Sequence, residues 1–232
     1  MLELDKNSAD AYAGLAVIAF NGKQLGTRKE EGFKYVEKGY SIDPSHGRIL
    51  NFLGSHFFYR KEYEKSIQFA KKSLEKTNEN KIEAESLYIL GRNLQSKLDF
   101  DGAYTSFYKS ITLWPEYTLS QHGLTQMYIH KNEHDKAIKY ANFILKDYPN
   151  NIDALKYLAT LYKRTKLELS IEYLDLVTQQ NPLEWESWIE LGYLSLLPSL
   201  LLLLLLFLFL LPQYFYLIFY FYFYFFFHFF FN

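Results

Sequence analysis

The sequence predicts an all-α protein, a right-handed α-solenoid of helix–turn–helix hairpins. Three observations predict it. A leucine followed by a small residue recurs at Leu15-Ala16, Leu53-Gly54, Leu90-Gly91, Leu124-Thr125, Leu158-Ala159 and Leu191-Gly192, at nearly even intervals. A second small residue, at Ser66, Ala103, Ala137 and Ser170, follows its leucine by 13, 13, 13 and 12 positions. Finally, Pro44, Pro115, Pro149 and Pro182 punctuate the same register. Proline cannot continue a helix, because it lacks the N–H and clashes with the preceding turn.

A period of about 34 residues is the mark of tetratricopeptide repeats, each a pair of helices. Within the first helix of each pair, a packing side chain stands three positions before the leucine: Tyr12, Leu50, Leu87, Leu155 and Trp188. Another stands four positions after it: Phe57, Leu94, Tyr128 and Tyr162. These spacings put the set on one helix face, so Leu90 is expected in the core of the third hairpin. The small residue beside each leucine lets the second helix come close, and a bulky one there overpacks at about 1–3 kcal/mol. "EYEKS" (62–66) and "DFDGA" (99–103) are the turns into the second helices. "GKQLGTRKE" (22–30) lengthens the first repeat and is expected to be a solvated loop, or alternatively a functional one.

The expected organisation is a tetratricopeptide array over residues 1–193 and an apolar tail over 194–232. The array would hold five full hairpins and the first helix of a sixth. Lys6 stands where a stop proline would be, and "WESWIELGYLSLL" (185–197) is a first helix without its second. A solenoid needs polar caps, so both ends are expected to be cut from a longer array.

Every Lys, Arg, Asp and Glu lies at or before Glu190. The tail has an unbroken apolar run from Leu200 to Leu211, then Pro212-Gln213, then a second apolar and aromatic run that includes His228. A membrane span needs about 20 apolar residues, with basic flanks. The last basic residue before this tail is Lys166. Every residue from Tyr193 to Asn232 can also be encoded without guanine. The tail is therefore read first as translated non-coding sequence and alternatively as a membrane segment. "FYFYFYFFF" (219–227), aromatic, uncharged and free of proline, is an aggregation hazard.

Composition narrows the function. Net charge is −1, with no basic face of the kind that binds nucleic acid. The chain has no cysteine, which excludes disulfides and thiol catalysis and favours a reducing compartment. The start of the chain has no apolar signal stretch. His130 and His134 are four apart, but Lys131-Asn132-Glu133 between them reads as an interhelix turn. They share no helix face, so no metal is expected: His130 is read as solvated, and His134 as filling the slot of Tyr63 and Phe100. Glu30-Glu31 and Glu83/Glu85 are read as solvated helix faces. Tyr88, Tyr128 and Tyr162 are read as packing. No catalytic residue and no cofactor are expected.

What remains is the groove that the first helices of stacked hairpins line. The repeat register assigns to it Arg48, Asn51, Ser55, Phe58 and Tyr59 in the second hairpin, and Tyr88, Arg92 and Gln95 in the third. It adds His122, Gln126, Ile129 and His130 in the fourth, and Lys156, Thr160, Lys163 and Arg164 in the fifth. Polar, aromatic and cationic residues alternate there without a carboxylate. That set suits an extended or helical peptide of acidic character, and the plain alternative is wet surface.

Several strings go beyond the repeat consensus: "NFLGSHFF" within 40–66, "GLTQMYIHKNE" (123–133), "KDYPNN" (146–151), "WESWIELG" (185–192) and "GLAVIAFN" (14–21). From about Leu2 to Tyr193 the chain resembles the tetratricopeptide scaffold subunit of the RNA polymerase II-associated factor complex. The resemblance implies a nuclear, non-enzymatic scaffold that holds other subunits of that complex on elongating RNA polymerase II, with links to histone modification. The apolar tail departs from that family's charged C-terminal region. A membrane-anchored tetratricopeptide adaptor and a co-chaperone are the alternatives. The clamp of such co-chaperones needs a K-x-x-G-N pattern, whereas the residues after the small position here are Ser55, Arg92, Gln126 and Thr160.

Overall fold

The computed structural model describes residues 7–21 and 27–196. The tail from residue 197 on, the first six residues and the loop at 22–26 lie outside the described residues. The described helices run in order: α1 (Ala9–Asn21), α2 (Thr27–Ile42), α3 (Gly47–Tyr59), α4 (Tyr63–Lys76) and α5 (Asn80–Ser96). Then come α6 (Phe100–Leu113), α7 (Thr118–His130), α8 (His134–Asp147), α9 (Ile152–Tyr162) and α10 (Leu167–Gln180). Residues 185–196 are helical too. The chain divides into two compact units between Pro149 and Asn150, a division the repeat register does not announce.

In the first unit, consecutive helices pair as hairpins: α1 with α2, α3 with α4, α5 with α6, α7 with α8. Each second helix also touches the next first helix, and α1, α3, α5 and α7 touch in sequence. The odd-numbered helices therefore form one layer, which carries the groove. In the second unit α9 pairs with α10, and Ala159, Leu174 and Leu194 are buried together with Leu167, Ile171 and Leu191 around them.

Local chemistry explains the boundaries. α2, α6, α8 and α10 each end two positions before Pro44, Pro115, Pro149 and Pro182. In three hairpins the turn is one repeated device. Lys61, Leu98 and Asn132 have φ of 62°, 65° and 58°. The next residue's N–H closes back onto the Phe57, Leu94 and Tyr128 carbonyls, as in a Schellman motif. The solvated loop expected over 22–30 is corrected at its end, because Thr27 to Glu30 already belong to α2.

Packing follows the small residues. Ser66, Ala103, Ala137 and Ser170 are all fully buried. The serines are satisfied by the facing first helix: Ser66 Oγ donates to Gly54 O at 2.7 Å, and Ser170 Oγ to Ala159 O at 2.8 Å. A second polar row lies two helical turns further on. Ser73 Oγ is 3.0 Å from Gly47 O and Ser110 Oγ is 2.7 Å from Ala84 O. The next first helix joins each, through Ser86 at 2.9 Å and Ser120 at 2.7 Å. A buried hydroxyl is tolerated because it is bonded, and the bonds hold each hairpin in register with the next. The first hairpin uses Gly32 and Gly39 instead. A Cβ on Gly32 would stand 2.6 Å from the Phe20 ring.

The aligned leucines are not equivalent. Leu124 and Leu158 are fully buried, whereas Leu15, Leu53, Leu90 and Leu191 are half-buried, which corrects the expectation that Leu90 is core. Trp188 is exposed along its ring and donates its indole N–H to Pro182 O at 3.1 Å. Among the described residues no helix is long and apolar enough to cross a membrane.

Candidate functional site

The first unit carries a groove of about 530 Å³ on its odd-numbered helices. Val17 and Phe20 come from α1; Arg48, Asn51, Phe52, Ser55 and Tyr59 from α3; Glu85, Tyr88 and Ile89 from α5. Tyr117 and Leu119, at the start of α7, close one side. The spacing 48, 51/52, 55, 59 is one face of α3, and 85, 88/89 one face of α5.

Five of the expected groove residues line this groove: Arg48, Asn51, Ser55, Tyr59 and Tyr88. They differ in availability. Tyr59 is 79% exposed, while Asn51 is 4% exposed. Asn51 donates from Nδ2 to Ile82 O at 2.9 Å, and its Oδ1 lies 2.7 Å from Ser86 Oγ. Its amide is thus spent on joining α3 to α5, and it lines the groove without being free to read a ligand. Phe58 and Arg92 flank the groove. The Arg92 guanidinium lies 4.8 Å from the Phe58 ring centre and donates from Nη1 to the Tyr88 hydroxyl at 2.8 Å.

The other expected residues go elsewhere. Gln95 donates to Gln126 Oε1 at 2.9 Å, linking α5 to α7. His122 and Ile129 lie on α7, His122 half-buried and Ile129 half-buried beside His130. His130 is exposed, as expected, and its ring also stacks on Phe100 at 3.8 Å. His134, the first residue of α8 as Tyr63 and Phe100 are of α4 and α6, is exposed where those two are half-buried. In the second unit Lys156 pairs with Glu184, and Lys163 with Glu190 at 2.8 Å. Thr160 donates to Lys156 O, and Arg164 is exposed in the α9–α10 turn.

The expectation of a groove free of carboxylates is corrected by Glu85. It lines the floor, partly buried, with Asn51 Nδ2 at 3.4 Å. Loss of water raises its carboxyl above the usual range, with Asn51 and the more distant Arg48 opposing. Sequence reasoning had a signal for it, because Glu85 stands three positions before Tyr88 and seven before Arg92 on the same helix face. Tyr88 is likewise pushed up by burial, against Arg92, and Tyr117 is pushed up further by burial. Tyr117 packs edge-on against Tyr88 at 5.6 Å and stacks on Trp114 at 4.7 Å. It precedes its helix, so no helical periodicity points to it.

A groove with aromatic walls, three phenols, one carboxylate and guanidinium groups at its rim can hold a peptide segment. Among the described residues no three His, Asp or Glu converge on a metal site.

Comparison with known proteins adds relatives to this geometry. No family model matches the chain. It is 33% identical over 167 residues to the RNA polymerase-associated protein CTR9 of Caenorhabditis elegans, covering 72% of the chain. It is 27% identical over 200 residues to the CTR9 homolog of Arabidopsis thaliana, covering 84% of the chain. The chain is a tetratricopeptide protein related to CTR9. It spans 14% and 18% of the lengths of these two relatives. Among solved structures, the Cut9–Hcn1 hetero-tetramer of APC/C superposes with a TM-score of 0.70 at 18% identity, over 82% of this chain and 37% of that one. PilF of Pseudomonas aeruginosa superposes with 0.65 at 21% identity, over 83% and 85%. At that identity the two structures speak for the fold, which is the tetratricopeptide solenoid.

Proposed function

We propose that the chain is a non-enzymatic interaction scaffold of the RNA polymerase II-associated factor complex, acting in transcription elongation and the histone modification tied to it. The relation to CTR9 over 72% of the chain carries this reading. The fold supports it, because stacked hairpins offer an extended surface for partners. On this reading the array spans residues 1–193, the partners are other subunits of the complex and RNA polymerase II, and the place of action is the nucleus. The groove between α1, α3, α5 and the start of α7 is the peptide-binding site.

The test is capture from nuclear extract with the tagged full chain, beside Ser55→Trp, which fills the groove. The expected result is recovery of elongation-complex subunits by the unaltered chain and their loss with the variant. Recovery of chaperones or membrane-import proteins in their place would overturn the proposal.

A further inference from the structure

We propose that the partner segment seated in this groove carries a lysine or arginine, whose charge rests on Glu85 among the rings of Tyr59, Tyr88 and Tyr117. The inference deepens the peptide-groove reading and rests on it.

Glu85 is a charge without a proper counter-ion. Among the described residues the one donor on its carboxylate is Asn51 Nδ2 at 3.4 Å, beyond the usual hydrogen-bond range of about 2.7–3.2 Å. Arg48 lines the same groove, but among the described residues no ion pair joins the two. The neighbouring groups are the kind that hold cations: phenol oxygens accept, and ring faces attract positive charge. The molecule already shows that chemistry on both flanks. Arg92 lies over Phe58 and Tyr88, and Lys81 lies 5.1 Å over Trp114, which stacks on Tyr117.

The three classes of incoming side chain then separate. An acidic one would place a second carboxylate beside Glu85 and meet like-charge repulsion. A neutral one would cover Glu85 and leave a buried charge unpaired. A cationic one pairs it. Of the two cations at the groove, Arg92 is already engaged by Tyr88 and Phe58, and Arg48 is attracted to Glu85 itself, so both have less to offer an acidic ligand. This reverses the acidic preference that the run of cationic residues along the sequence suggests.

The experiment pans a random heptapeptide library on the full chain. It then measures a selected peptide and its arginine-to-citrulline counterpart by fluorescence polarisation. Selected peptides should be rich in Lys and Arg. Citrulline should weaken binding about tenfold, Glu85→Gln should weaken the arginine peptide by a similar factor, and citrulline should matter little on Glu85→Gln. Circular dichroism checks that each variant folds. Tyr59→Ala, at an exposed position, is a second variant that should weaken binding without touching the core. Peptides rich in Asp and Glu, or no effect of citrulline, would overturn the inference. Loss of binding with Ser55→Trp but not with Glu85→Gln leaves the groove reading standing and sinks the basic anchor. Equal binding to Ser55→Trp and the unaltered chain sinks both.

Discussion

Replacing Gly123 by alanine adds one methyl group where an aromatic ring already stands. Phe107, on α6, is fully buried between two glycines of successive first helices, Gly91 on α5 and Gly123 on α7. A Cβ on Gly123 would lie 2.7, 2.7 and 2.8 Å from three Phe107 ring atoms, and one on Gly91 would lie 2.6 Å from the same ring. Carbon atoms pack best at about 3.5–4.0 Å, so the ring must retreat by about 1 Å. It has glycine backbone on both sides, and a buried ring cannot turn aside as a flexible chain end can. Overpacking of this kind costs about 1–3 kcal/mol. Alanine returns about 0.5–1 kcal/mol through helix propensity. The expected net loss lies within about 0–2.5 kcal/mol, centred near 1, for Gly91→Ala and for Gly123→Ala. The controls should move the other way. Gly14 has nothing within 4 Å of its would-be Cβ, and Gly54 meets only ordinary contacts at 3.5 Å and beyond. Gly14→Ala and Gly54→Ala should therefore be neutral or stabilising by up to about 1 kcal/mol. Urea unfolding followed by circular dichroism reads all four as midpoint shifts at constant m. Phe107→Leu should relieve part of the Gly123→Ala loss in a double-mutant cycle. If Gly123→Ala is as stable as Gly14→Ala, the glycine–ring–glycine sandwich does not set the approach of α5, α6 and α7.

Four further outcomes follow from the same structure. Ser66→Ala should cost about 1–3 kcal/mol in urea, since it strips a buried hydroxyl from Gly54 O and from Asn93 Nδ2 at 2.8 Å; a loss below a few tenths would refute the polar seam. Leu124→Ala should cost about 2–5 kcal/mol, and Leu90→Ala distinctly less because Leu90 is half-buried; equal losses would contradict that ranking. Leu98→Gly should stabilise by about 0.5–1 kcal/mol, because Leu98 is 73% exposed at a φ of 65°, and Asn132→Gly should be near zero; thermal melts compare the two. Burial raises the Glu85 carboxyl above its ordinary 4.5, so the folded state holds that proton more tightly than the unfolded chain. The stability it contributes is present below 4.5 and lost as pH rises through the folded value. Glu85→Gln should show a flatter stability profile between 4.5 and the folded value, and an unchanged profile there would refute the burial of that charge.

The repeat was legible because its determinants are local and periodic. Leucine–small pairs, small contact residues and stop prolines each act within one helix or at its end, and each recurs once per hairpin. The first hairpin's small residue was harder to see. Gly32 stands further from Leu15 than Ser66, Ala103 and Ala137 stand from their own leucines, displaced by the lengthened connection. The left-handed turn positions Lys61, Leu98 and Asn132 were also hidden, because two of the three residue types carry no turn signature.

The groove was half legible. Helical spacing assigns a face, so Arg48, Ser55, Tyr59 and Tyr88 could be placed on it from their positions alone. Spacing says nothing about which side chain is already engaged. Asn51 and Arg92 are spent on partners 31 and 4 residues away, and Lys156 and Lys163 on carboxylates 28 and 27 residues away. The sequence by itself determined the helices, their pairing and the face that meets the next hairpin, since these depend on neighbours within a turn or two. Tertiary structure alone decided which charges stay unpaired and where water is lost. Those are properties of distances between residues far apart in the chain, and Glu85 became the floor of a groove only when α3, α5 and the start of α7 closed around it.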